Sequence, residues 1–244
     1  MCHKKSEVFR EQRVSIISIA EFDIHLSRKH IKNVILRIDR HGNVKVSAPM
    51  RCSLDFIQQF LHKKQDWIRT NRARLSQQPL PSSLSFESGE EHLFLGQPYV
   101  LKVHEYAEKN SIIIEGNYLC CYVKSPATQA DKRTLISQWQ RQQMQLLLPA
   151  LFQKWQAIIG VQVHQWGIRT MKTRWGSCNT TKKRICLNLH LIQYPLVCLE
   201  YVVVHELVHL LEASHNQRFY ALMTAYMPNW KEFRNLLNKN TTFA

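Results

Sequence analysis

Apolar and polar positions alternate along Phe22 to Arg28 and again from Val34 to Ala48, and a period of two predicts half-buried strands. The second run is broken by Arg40-His41-Gly42-Asn43, where Gly and Asn tolerate the positive φ of a tight hairpin, and Pro49 ends the ribbon. After Ser53, a residue suited to N-capping, Leu54, Ile57, Phe60, Leu61, Lys64, Trp67 and Ile68 recur at helical spacing. Lys63, Arg69, Arg72 and Arg74 fall on the other face, so one amphipathic helix is predicted to about Leu75. Ser76 to Ser88, rich in Ser, Gln and Pro, reads as a connector. Four short strands then follow at Leu93 to Leu95, Tyr99 to His104, Ser111 to Glu115 and Tyr118 to Lys124, with turns at Gly96-Gln97-Pro98 and Gly116-Asn117.

Near Ser125-Pro126 the pattern changes. Asp131 to Ile159 predicts a long helix with Leu135, Trp139, Leu146, Leu147, Leu151 and Trp155 inward, which Pro149 is expected to kink or split. Val161 to Thr170 and Arg184 to Leu191 read as strands joined by a polar loop, Met171 to Lys183. Pro195 suits the first turn of an apolar helix, and Asn216 to Tyr226 and Trp230 to Asn238 predict two more. No internal repeat is visible. The fold class is therefore α+β, with a β-rich N-terminal region over 1–125 holding one amphipathic helix, and a second domain over 126–244.

A chain of 244 residues with 45% apolar content buries a real core, which excludes intrinsic disorder. The net charge is +15, and ten Lys and Arg lie between residues 132 and 199 without one Asp or Glu, an imbalance that favours anionic partners. Seven cysteines with no Cys-x-x-Cys pair argue for reduced core residues over a disulfide framework. The first residues are basic but lead into no sustained apolar segment, and Pro195 to Leu211 is shorter than the ~20 residues of a membrane span. A cytoplasmic protein without a membrane partner is expected.

Within the apolar helix stands His205-Glu206-Leu207-Val208-His209. Four residues turn an α-helix by about 400°, so the two imidazoles project from one face, at a spacing that closes on a single metal ion. Glu206 is then placed to take a proton from a metal-activated water. Two histidines and a glutamate in an apolar helix carry a desolvation penalty that a divalent cation relieves. The competing reading is a pair of core histidines bonded to carbonyls, with Glu206 in a buried ion pair. A zinc site needs a third protein ligand and keeps its fourth position for water. His215, six residues beyond His209, can supply it if the helix stops near Glu212 to Ser214, with Ser214 capping the next helix and His215 in its first turn. Glu232, on a downstream helix, is the rival ligand.

The loop before the metal helix carries a second set of candidates. Arg174 presents paired donors suited to an oxyanion or a phosphate, or else simply decorates the loop. Trp175 reads as core packing and Gly176 as a turn, while Cys178 and Cys186 lack the nearby partners of a second metal site.

These residues together, His205 to Leu210, His215 to Phe219, the loop Thr173 to Cys178 (TRWGSC) and Ile185 to Leu189, resemble the YgjP-like metallopeptidase family, relatives of SprT-like and other zincin hydrolases. Asp39 to Pro49, Trp67-Ile68 and Leu95 to Tyr99 are similar to that family's N-terminal elements, so the resemblance covers nearly the whole chain. The spacing of the three histidines is also that of metzincin proteases, but the glycine of their turn is replaced by Glu212. The resemblance implies a zincin-like catalytic domain, zinc on His205, His209 and His215, and Glu206 as catalytic base. It implies hydrolysis of peptide bonds or, from an assignment attached to members of this type, of the phosphoanhydride of UTP. By analogy with zincins, the strand Arg184 to Leu191 would border the cleft and pair with an extended peptide, with Asn188 and His190 reaching it. The expected partners are a peptide, a protein or a nucleotide. The basic 132–184 segment would grip the triphosphate in the nucleotide reading, or contact nucleic acid in a protease that processes nucleic-acid-bound proteins, against which the same cations equally suit a solvated face.

Overall fold

The computed structural model describes residues 14–19, 21–39, 42–76 and 84–239. The chain divides into two compact units, Met1–Ser82 and Ser83–Ala244. In the first, β1 (Val14–Ile19), β2 (Phe22–Lys29), β3 (Ile35–Ile38) and β4 (Val44–Pro49) form a sheet in the order β1-β2-β4-β3. β2 and β4 are parallel and the outer pairs antiparallel. Alternation works as predicted in the central strands, where Phe22, Ile24, Leu26, Val44, Val46 and Ala48 bury one face. β1 lies outside the predicted strands, because Ile16 and Ile17 are adjacent and blur its alternation.

The predicted single helix is two, α1 (Leu54–His62) and α2 (Gln65–Ser76). Ser53 caps α1 as expected, its Oγ accepting from the Phe56 N–H at 3.2 Å. The break comes at Lys63-Lys64, where the Lys64 N–H reaches back three residues to the Leu61 carbonyl. It shifts the helical phase, so Ile57, Leu61 and Ile68 are buried while Trp67 is 45% exposed.

The second unit opens with β5 (Glu91–Phe94), β6 (Gln97–His104), β7 (Ser111–Glu115) and β8 (Tyr118–Tyr122), in the order β5-β6-β8-β7. β6 and β8 are parallel and the outer pairs antiparallel, the same topology as the first sheet. α3 (Gln129–Ile159) follows, closed at its start by a capping box of Thr128 and Asp131. Its Ile136 and Trp139 join Leu101, Leu119, Cys121 and Val123 in one core. That shared core makes the sheet part of the second unit, so the chain divides in the Ser/Gln/Pro-rich connector and the expected boundary at 125/126 is corrected. α3 also runs unbroken through Pro149. Pro149 and Gln145, whose carbonyl loses its partner, both lie on the exposed side, where water can satisfy the freed group. Leu146 is exposed, and the deep stripe is Met144, Leu148, Phe152 and Trp155.

A three-stranded sheet of β9 (Gln165–Arg169), β10 (Gly176–Asn179) and β11 (Arg184–Asn188) has the order β10-β11-β9. The predicted polar loop thus contains a strand, β10, antiparallel to β11. A 3-10 turn, Leu189–Gln193, leads into α4 (Leu196–Val208), followed by α5 (Gln217–Tyr226) and α6 (Trp230–Lys239). α4 packs against α3, α5, α6, β10 and β11 and forms the middle of the largest apolar core. Its entry is pinned by the β5–β6 turn, where the Leu95 and Gly96 N–H groups donate to the Ile192 and Gln193 carbonyls. At Gly96, φ is +80° and a Cβ would lie 2.6 Å from Pro195 Cγ, so only glycine fits. Among the described residues no helix is long and apolar enough to cross a membrane.

Candidate metal centre

α4 ends at the site it carries. His205 lies in its last turn and His209 at its C-cap, after which the Leu210 and Leu211 N–H groups bond three residues back and the chain leaves the helix. The next helix is capped by Asn216, whose Oδ1 accepts from the Phe219 N–H at 3.0 Å. His215 therefore precedes the cap, and the expected role of Ser214 as cap is corrected. The geometry nonetheless returns His215 to the other two histidines. Ring centroids are 5.0 Å apart for His205 and His209, 5.0 Å for His205 and His215, and 4.6 Å for His209 and His215. One nitrogen from each lies within 4.8 Å of the others, with His205 Nε2 and His215 Nε2 3.0 Å apart. Glu232, exposed on α6, stands outside this cluster.

The donor set fits a divalent metal. Burial, helped by the neighbouring His209 and His215, pushes the His205 pKa down to about 3, which keeps its lone pair available at neutral pH. Burial also lowers that of His209. His209 Nδ1 lies 3.2 Å from the Glu212 carbonyl, and donation there leaves Nε2 as the ligating atom. Phe219, fully buried, forms a floor, its centroid 4.7 to 5.0 Å from all three imidazoles. The sequence reading assigned Phe219 no part in the site; its one signal is its place in the segment that begins with His215.

Glu206 is 4% exposed, and burial raises its pKa to about 8 against the pull of Arg174. Space for its carboxylate comes from Gly176 in β10, where a Cβ would stand 2.5 Å from Glu206 Oε1 and 2.8 Å from its Cγ. Gly176 thus serves clearance, not a turn. The group opens into a cleft of about 480 Å³, bordered by Arg174, Gly176 and Ser177 on one side and by Arg234 and Asn238 of α6 on another.

Compared with known families, residues 32–240 match the model of the YgjP-like metallopeptidase domain. The chain belongs to the YgjP-like metallopeptidase family. Among solved structures, it is similar to the metallopeptidase zymogen of Pyrococcus abyssi abylysin, with 21% identity over 38% of this chain and 95% of that one, at a TM-score of 0.36. Comparison with curated protein sequences returned no significant match.

In this YgjP-like chain the other expected site residues separate. Arg174 is exposed and borders the cleft. Asn188 is fully buried, and its amide is spent internally: Nδ2 donates to the Met171 and Arg174 carbonyls, both at 2.9 Å, while Oδ1 accepts from the N–H groups of Met171 and His190. The expected substrate contact is corrected, and Asn188 positions the loop that carries Arg174. Asn188→Ala is expected to cost about 2–3 kcal/mol in denaturant unfolding, since it strands buried backbone groups, and to lower kcat/KM with metal content unchanged. His190 lies in the 3-10 turn, half-buried and away from the cleft lining, so its expected substrate role is corrected as well. β11 is paired on both sides and cannot accept a further strand; the edge that borders the cleft is β10. The basic segment is dispersed. Lys132 is buried against Glu87 at 2.6 Å, Arg141 donates to the Ile168 carbonyl, Lys154 pairs with Glu200, and of the ten cations Arg174 alone borders the cleft. Cys178 and Cys186 join no metal-type cluster among the described residues, and burial pushes the Cys178 thiol up to about 11.

Proposed function

We propose that the protein is a single-zinc peptidase in which Glu206 assists the attack of water on a peptide bond. The observation that carries this reading is the convergence of three imidazoles beside a buried carboxylate at the base of an open cleft. His205, His209 and His215 would hold a zinc ion, which would supply Lewis acidity and make water more acidic at the site. Glu206 accepts the proton of the attacking water and passes it to the leaving amine; burial alone favours its neutral form, and a divalent ion on the neighbouring imidazoles would draw it back to the charged form this role needs. Arg174 donates to the carbonyl oxygen as negative charge develops there. Among the described residues β10 is an edge strand of its sheet, and it offers backbone groups to an extended peptide. The described cysteines are all free thiols, which fits a reducing compartment such as the cytoplasm.

A triphosphate needs several cations around it, and of the basic 132–184 segment Arg174 alone borders the cleft, which favours the peptide. Elemental analysis of the purified protein, with assays on unfolded casein and on UTP, tests the choice. Zinc at roughly one equivalent and casein cleavage are expected, and both are expected to be lost in His209→Ala. Pyrophosphate release from UTP that disappears in His209→Ala, without casein cleavage, would replace this reading with the nucleotide one. A protein indifferent to zinc would end both.

A further inference from the structure

We propose that Arg234 and Tyr201 form an anion subsite beside the metal centre, which takes a carboxylate of the peptide substrate. The inference rests on the peptidase reading and names its substrate class. Both residues border the cleft that holds the histidines. Tyr201 stands one turn before His205 on α4, with ring centroids 5.9 Å apart. Arg234 comes from α6, which packs against α4 and brings it to the same cleft as Tyr201.

Arg234 is held in place by its own helix. Trp230, one turn earlier, is buried, stacks on Tyr220 with centroids 5.4 Å apart, and donates from Nε1 to Thr224 Oγ1 at 3.1 Å. The Arg234 guanidinium lies 5.8 Å from the centroid of that fixed indole. Asn238, four residues on, faces the same cleft and adds an amide donor.

The charge of the cleft decides what such a group would bind. Among the described residues no carboxylate pairs with Arg234 or with Arg174. Among the described residues Glu206 is the one carboxylate that borders the cleft. A peptidase needs one donor for the developing oxyanion, which Arg174 supplies from the β10 side. Arg234, on the α6 wall, is then a cation without a task in the chemistry. A guanidinium and a phenol lining one cleft can share the two oxygens of a carboxylate, whereas a triphosphate calls for more cations than these walls offer. A peptide presents carboxylates in two ways, on an Asp or Glu side chain or at a free C-terminus.

The test uses peptides built on one casein sequence that the zinc-loaded enzyme cleaves, with Glu, Gln or Lys beside the cut and with a C-terminal acid or amide. The acid-bearing peptide is expected to show a KM about tenfold below that of its neutral counterpart, with kcat little changed. Arg234→Gln is expected to bring that ratio near one, Tyr201→Phe to reduce it, and Arg234→Glu to turn the preference toward Lys. Lys231→Gln, exposed on the same helix but outside the cleft, is expected to keep the parent ratio. Peptide affinities for zinc-loaded Glu206→Gln protein should follow the same order without any turnover. A preference confined to the C-terminal acid assigns the subsite to chain ends, and one confined to Glu assigns it to side chains. Equal KM and affinity across the series, with cleavage intact, would overturn the subsite and leave the peptidase reading standing. A zinc-loaded protein that binds and cleaves no peptide would overturn both.

Discussion

Replacing Glu206 with Gln is expected to leave zinc content unchanged and to lower peptide turnover by about 10²- to 10⁴-fold, the usual weight of a positioned general base. The amide keeps the volume that Gly176 makes room for, so the cleft stays intact while the proton acceptor is gone. Near-normal turnover in this variant would remove Glu206 from the base role. The same substitution has a second readout, in protein stripped of metal by a chelator. Burial holds the folded-state pKa of Glu206 at about 8, above its ordinary 4.5. The group's contribution to stability is therefore fully present below pH 4.5 and is lost as pH rises toward 8. Gln does not titrate, so the chelated variant should melt above the chelated parent at pH 8, with the gap closing toward pH 4.5. His205, depressed to about 3, acts in the opposite direction but is common to both proteins and cancels in the difference. A gap that stays constant with pH would show that the carboxylate is not held in a desolvated place.

Gly176→Ala carries the second large effect. Its Cβ would stand 2.5 Å from Glu206 Oε1, 2.8 Å from Cγ and 2.9 Å from Cδ, so the carboxylate must move. Overpacking of this kind costs about 1–3 kcal/mol, and a displacement of ~1 Å in a catalytic group costs on the order of 10²-fold in rate. The expected result is a fall in both melting temperature and kcat/KM, with zinc retained because the three imidazoles are untouched. Gly167→Ala in β9, where nothing lies within 4 Å of the added methyl, is the control and should remain within ~0.5 kcal/mol of the parent. If Gly176→Ala kept full activity, the clearance it provides would have no bearing on the reaction.

The sequence disclosed most about the site where the relevant contacts are local. The spacing of His205 and His209 needs only the pitch of one helix, and the return of His215 needs only that the helix end soon after His209. Ser214 was the wrong cap because the residue that caps α5 is the one whose side chain reaches the N–H of the buried Phe219, and that is Asn216. Asn188 and Gly176 were misread for a related reason. The amide of Asn188 is consumed by backbone groups 14 and 17 residues away, and the neighbour that demands a glycine at 176 sits on a different element.

The fold shows the same division. Strands with strict alternation, such as β2 and β4, were legible, whereas β1 was not. A break of two residues at Lys63-Lys64 was enough to turn Trp67 outward and Ile68 inward. The connector that separates the two units was visible in its composition. What assigned the second sheet to the downstream unit was Ile136 and Trp139 packing onto its strands, a tertiary contact that no local pattern announces. The matched topology of the two sheets was hidden as well, since alternation and turn residues suffice to build it and no particular side chains need recur.

Nine residues of α4 are buried, so the rod that aims two of the imidazoles is also the pillar around which the second unit is assembled. A cation held by His205, His209 and His215 would then be a tenant of this scaffold and not its keystone. Exchange of one divalent ion for another is then expected to be a local event that leaves the apolar packing around α4 as it is.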